Sequence, residues 1–148
     1  MLTIHAADNV RIHWDAEPVK DTAVAVEGAR IAAVGPLEEL RSRFPGARVR
    51  HWPGTLGPGR LHEGPLPEAP SPRERVHAIL KLGAVAMLAE HIDTPDLRAA
   101  AERNEVRVLP SSRPVEITET GRADLAVLDD TGACIATVCA GRLVHRRR

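Results

Sequence analysis

The sequence predicts an α+β protein, mainly β, and three observations carry that prediction. The first and last thirds of the chain are short apolar runs broken by turn residues, which is how strands with tight connections read. Between them, residues 84–88, the helix-start signal Thr94-Pro95-Asp96 and residues 105–109 read as strand, helix, strand. The stretch from Pro53 to Pro72 is crowded with proline and glycine and reads mostly as loop, separating the N-terminal strands from the middle of the chain.

Each element has its own signal. Val10, Ile12 and Trp14 alternate with Arg11, His13 and Asp15, which predicts a half-buried strand there. Residues 22–27 and 30–34 flank Gly28 and form a hairpin. Gly35-Pro36 ends it and opens a short helix, with Leu37, Leu40 and Phe44 at helical spacing and Pro45-Gly46 as the stop. Residues 47–52 read as a strand, and 56–61 as another emerging from the proline-rich stretch. Val76, Ile79 and Leu80 place a helix over 72–82, with Pro72 near its start. The apolar run 84–88 is a buried strand, parallel to 105–109 across the helix 95–103 by a right-handed crossover. Residues 124–129 and 133–139 are strands joined by the turn Asp129-Asp130-Thr131-Gly132, and 143–145 is a last strand before a frayed, solvated Arg146–Arg148 tail.

A length of 148 residues suits one domain with a small insert. Twenty Lys+Arg balance twenty Asp+Glu, and only Lys20 and Lys81 are lysine. With Trp14, Trp52 and Phe44 the only aromatics, the core must come from 14 Val, 14 Leu, 7 Ile and 22 Ala. Zero net charge and so few rings exclude a nucleic-acid binder, which needs phosphate neutralisation and stacking platforms. No apolar run approaches the ~18 residues of a membrane span. His5, Asp8, Arg11, His13 and Asp15 rule out a signal peptide at the N-terminus, and two cysteines without export imply a reducing cytoplasm.

The two ends of the chain together resemble a known family. Asp21-Thr-Ala-Val-Ala-Val-Glu-Gly-Ala-Arg30-Ile-Ala-Ala-Val-Gly35-Pro36, Glu38-Glu39-Leu40 and Pro53-Gly-Thr-Leu-Gly-Pro-Gly59 resemble the N-terminus of metal-dependent amidohydrolases of the imidazolonepropionase and aminodeoxyfutalosine deaminase type. Arg122-Ala-Asp124-Leu-Ala-Val-Leu-Asp129, Ala136-Thr137-Val138 and Gly141-Arg142-Leu-Val are similar to the closing segment of the same enzymes. The resemblance implies that residues 1–61 and 110–148 combine into a composite β-sandwich, leaving 62–109 as a short α/β insert. It also implies a hydrolase of non-peptide carbon–nitrogen bonds on a metal-binding (β/α)8 barrel. A barrel takes about 250 residues, and here 48 residues stand between the halves. In the family a His-x-His metal pair follows the Pro-Gly; those positions fall on Gly64 and Leu66, which cannot ligate. No metal and no cofactor is therefore expected.

His62-Glu63 follows the strand 56–61, and Glu90-His91 with Asp93 follows the strand 84–88, at the strand ends where α/β folds place their sites. If the strands are neighbours, His62, Glu63, Glu90, His91 and Asp93 form a makeshift metal or acid–base site; otherwise they are polar loop residues. Asp130-Thr131-Gly132 mimics an aspartic-protease loop, but too little chain follows it, and it reads as a turn. Cys134 and Cys139, an odd spacing apart, point to opposite faces of one strand unless a bulge intervenes. His5, His13, His51, His77 and His145 lack ligand-spaced partners and read as surface or half-buried, while Trp14 and Trp52 read as core anchors. No glycine-rich phosphate loop is present.

The functional expectation is a barrel-less amidohydrolase-like protein acting by binding or interaction. The alternatives are a small metal-dependent hydrolase with a rebuilt site at His62, Glu63, Glu90 and His91, or one half of a split amidohydrolase. Val85, Met87, Leu88, Val106, Val108 and Leu109 make the insert strands apolar almost throughout. A second copy of the chain, or a partner protein, is therefore expected to cover the 62–109 insert.

Overall fold

The computed structural model of the chain describes residues 1–147. Its organising strand is β5 (Arg48–Pro58), whose two edges pair with strands from opposite ends of the chain. One edge runs parallel to β1 (Leu2–Val10), from Thr3 opposite Arg48 to Val10 opposite Leu56. The last residues, Thr55 to Pro58, run antiparallel to β9 (Leu125–Leu128). On the far side of β1 lies β3 (Thr22–Glu27), in a hairpin with β4 (Arg30–Pro36); the two-residue β2 (Val19–Lys20) pairs with the end of β1. Beyond β9 come β10 (Cys134–Cys139) and β11 (Arg142–Arg146). The result is one eight-stranded sheet in the order β11-β10-β9-β5-β1-β3-β4, with β2 off this path.

That sheet folds over until its two ends touch. The Ala123 amide donates to the Ala29 carbonyl at the β3–β4 turn (2.8 Å), and the Gly141 amide at the β10–β11 turn donates to the Ala123 carbonyl (2.9 Å). Gly141 holds φ +83°, and a Cβ there would collide with the Gly28 carbonyl, so only glycine lets the two turns meet. Val24, Val26 and Ile31 thereby share one apolar cluster with Leu125, Val127, Ile135 and Val138. α1 (Leu37–Arg43) closes the other side of the N-terminal strands, with buried Leu40 packed on Ile4, Ala23 and Ala25.

The strand read over 10–15 is displaced. The strand is β1, ending at Val10, and Arg11–Ala16 is a turn, because the Arg11 guanidinium donates to the Trp14 and Ala16 carbonyls (3.2 and 2.7 Å). Trp14 lies against Gly57 and donates from Nε1 to the Pro58 carbonyl (2.9 Å). The loop read from Pro53 also shrinks, since β5 continues through Pro53-Gly54 to Pro58. A register shift opposite Asp8 absorbs the proline, and Gly54 (φ +92°) donates its amide to the Asp8 carboxylate (3.0 Å).

Three smaller expectations change as well. A bulge at Ile135 in β10 turns Cys134 to the face of Cys139: the Cys134 thiol lies 3.3 Å from the Thr137 hydroxyl, which itself donates to the Leu80 carbonyl (2.6 Å), and Cys139 packs in the cluster that holds Leu80. Arg146 and Arg147 are not frayed. Arg146 closes β11 with its guanidinium over the Trp52 ring, and Arg147 pairs with Asp129 (3.0 Å); Arg148 lies outside the described residues. His5 is 4% exposed rather than half-buried, accepting on Nδ1 from Trp52 Nε1 (3.2 Å) and stacked on that ring.

The second sheet is small and parallel, in the order β6 (Arg60–His62), β7 (Ala84–Leu88), β8 (Arg107–Leu109). α2 (Pro72–Leu80) starts at Ser71, whose hydroxyl accepts from the Glu74 amide and donates to the Glu74 carboxylate in a capping box. α3 (Pro95–Arg103) starts at Thr94, which accepts from the Leu97 amide (3.1 Å). Both helices share a cluster with Val85 and Met87 of β7 and with Cys139 of β10, which docks them on the larger sheet. On the other face, Ala86, Leu88 and Leu109 form a small buried cluster of their own. All five residues of β7 are buried within the chain, so the open apolar face expected around the insert is absent; among described residues, the large apolar side chains that stay exposed are Met1, Val19 and Leu82. No described helix is long and apolar enough to cross a membrane.

Two expectations follow. Residues 1–61 expressed alone lack the β9 partner of β5 and the C-terminal half of the core, so that fragment should be unfolded or aggregated by circular dichroism and size exclusion. Burial, with help from the Arg50 guanidinium, lowers the His5 pKa to about 4 from 6.5. The unfolded chain therefore binds the extra proton between these values, and stability falls as pH drops from about 6.5 to 4, by roughly 3 kcal/mol in all. Denaturant melts of wild type and His5→Gln should differ in slope across that window, with the variant flatter.

Candidate functional site

Because β6 and β7 are adjacent and parallel, the residues that follow them do lie at one end of the small sheet. His62 closes β6, while Ala89–His91 form a single 3-10 turn directly after β7. The structure joins two of the five candidates: His91 Nε2 lies 3.0 Å from the backbone carbonyl of Glu63. His62 Nε2 lies 3.0 Å from the Pro65 carbonyl. A carbonyl oxygen only accepts, so each ring donates an Nε2 proton to its carbonyl.

The carboxylates are turned to other partners. Glu63 accepts a short hydrogen bond from the Ser112 hydroxyl, which ties the segment after β8 to the end of β6. Asp93 accepts from the Arg75 guanidinium at 3.2 and 3.0 Å, and Arg75 also donates to the Leu66 and Pro67 carbonyls. Glu90 is exposed. Among the described residues, no three His, Cys, Asp or Glu side chains are placed to hold a metal ion. Gly64 has no side chain to offer, and Leu66 is 3% exposed within the apolar cluster under the helices. The residues present do not fit the metal the resemblance implies.

Arg75 and Ser112 were not legible as partners here. Arg75 sits on α2 and Ser112 beyond β8, far from His62 and His91 in sequence, and nothing local to either residue marks the meeting.

The fold has known relatives. Residues 23–47, running from β3 through α1, match the imidazolonepropionase-like composite domain of bacteria. Among solved structures, the chain is similar to an adenosine deaminase from Xanthomonas campestris with bound zinc: 19% identity, TM-score 0.55, 72% of this chain and 33% of that one. It is similar to Helicobacter pylori aminofutalosine deaminase at 15% identity and TM-score 0.53, over 73% of this chain and 32% of that one. Escherichia coli guanine deaminase gives 14% identity and TM-score 0.53, over 73% and 35%. The chain carries an amidohydrolase-like composite fold. It spans about a third of the length of these neighbours. No curated protein matches the sequence.

Proposed function

We propose that this chain is an amidohydrolase-like composite domain, residues 1–61 and 110–148, in which the 62–109 insert stands in place of the barrel, and that it acts without hydrolysis, by binding or interaction. One observation carries the reading: the groups at the end of β6 and β7 are spent on local structure. Glu63 holds Ser112, Asp93 holds Arg75, and the Nε2 protons of His62 and His91 are committed to backbone carbonyls. A hydrolytic site needs about three protein ligands around an open position for water, and Gly64 and Leu66 supply none. Elemental analysis of protein purified without a histidine tag should find zinc, iron and manganese well below one equivalent per chain. A stoichiometric metal would instead favour a rebuilt hydrolase site at His62, Glu63, Glu90 and His91.

A second reading, half of a split amidohydrolase, is favoured by the chain's matching only a third of each neighbour. A homodimer is the other form of partnership, and with β7 covered from both sides it would use the open edges of β6 and β8. The two free cysteines suit a reducing cytoplasm. Light scattering separates these forms: twice 16.0 kDa supports the dimer, while a 16.0 kDa species that gains mass only with a barrel-sized protein from native cells supports the split enzyme.

A further inference from the structure

A cavity of about 540 Å³ opens where the small parallel sheet meets the rim of the folded-over sheet. Pro58, Gly59, Val85 and Arg107 line it, so it reaches the N-terminal ends of β6, β7 and β8, whereas His62 and His91 follow the C-terminal ends. Four arginines from separate segments face it: Arg30 at the start of β4, Arg107 at the start of β8, Arg113 beyond β8, and Arg122 ahead of β9.

Their partners are unequally shared. Arg122 is satisfied, its Nε within 2.9 and 2.8 Å of the two Asp124 oxygens. Among the described residues, Arg30, Arg107 and Arg113 have no carboxylate within 4.0 Å. The lining carboxylates are Asp124 and Glu116, so the cavity carries an excess of two positive charges. Burial, and then the charges of Arg113, Arg122 and Arg30 against the opposing pull of Asp124, hold the Arg107 guanidinium below its usual pKa. Like charges gathered in one concavity repel, and an anion among them removes that cost.

The shape adds the rest. Val85, Leu109 and Val115 give the cavity an apolar wall, and its volume lies in the range of small-molecule sites. One arginine fork suffices for a planar carboxylate. Three unpaired guanidinium groups arriving from three segments suit a tetrahedral anion that offers oxygens in several directions.

We propose that this cavity binds a small organic phosphate, with Arg30, Arg107 and Arg113 holding the phosphate and Val85 and Leu109 packing its apolar body. The site is independent of the groups around His62 and His91 and does not require hydrolysis.

Inorganic phosphate and pyrophosphate are the probes, with sodium chloride at matched ionic strength as the control. Calorimetry and thermal melts should show binding and a raised Tm for the phosphates over chloride. Arg107→Gln and Arg113→Gln should each weaken pyrophosphate binding at least tenfold, while Arg41→Gln, on the exposed side of α1, should leave it unchanged. Arg113 is exposed and outside any strand or helix, so its variant keeps the test valid should Arg107→Gln fail to fold. Equal responses to phosphate and chloride, or undiminished pyrophosphate binding in Arg113→Gln, would overturn the proposal.

Discussion

Everything in this chain depends on β5 having two partners. β1 holds one edge from Arg48 to Leu56 and β9 holds the other from Thr55 to Pro58, so a single strand joins the N-terminal layer to the C-terminal one. The β1 ladder is interrupted at Pro53-Gly54, just before β9 joins the other edge; the proline cannot donate to a ladder and the glycine adopts a conformation closed to other residues. A side chain at Gly54 would also run into the Leu128 carbonyl, so the arrival of β9 requires the bare backbone there. The Asp8 carboxylate takes the Gly54 amide that the bulge would otherwise orphan.

The passage from the large sheet to the small one is as tightly specified. Gly59 donates its amide to the Asp124 carbonyl, and a Cβ at Gly59 would press on Val85 and on the Asp124 side chain. Asp124 in turn accepts from Arg122 and from the Ala140 amide (2.9 Å), binding the start of β9 to the β10–β11 turn. Through its carboxylate and its backbone carbonyl, Asp124 thus fastens three segments at the place where the two sheets adjoin. The Pro-Gly and Arg-Ala-Asp motifs that carry the family resemblance are, in physical terms, the two sides of this joint.

Local chemistry made much of the fold legible. The hairpin around Gly28, both capped helices and the Asp129 turn follow from residues adjacent in sequence; the Thr131 hydroxyl first, then the Ala133 amide, Arg147 and the Thr131 amide, lower the Asp129 pKa to about 2. What failed to show was set by distant partners. The alternation after Val10 imitates a strand, yet Trp14 turns away to lie on Gly57 and bond the Pro58 carbonyl. Pro53 imitates a loop, yet a bulge accommodates it within a central strand. The polar residues after β6 and β7 were placed at the right end of the sheet by the strand reading alone, but their partners, Ser112 and Arg75, come from elsewhere in the chain. The arginine cavity had no local signature, because its members belong to four segments that only the closed sheet gathers.

The split pairing of β5 also orders events in time. During synthesis, β1, β3, β4 and β5 leave the ribosome long before Leu125, and the Thr55–Pro58 edge waits for β9 through the whole insert. At ordinary translation rates that interval is on the order of 3–15 s. For those seconds the nascent chain presents an unpaired apolar edge, with Leu56 on it, to any other strand nearby.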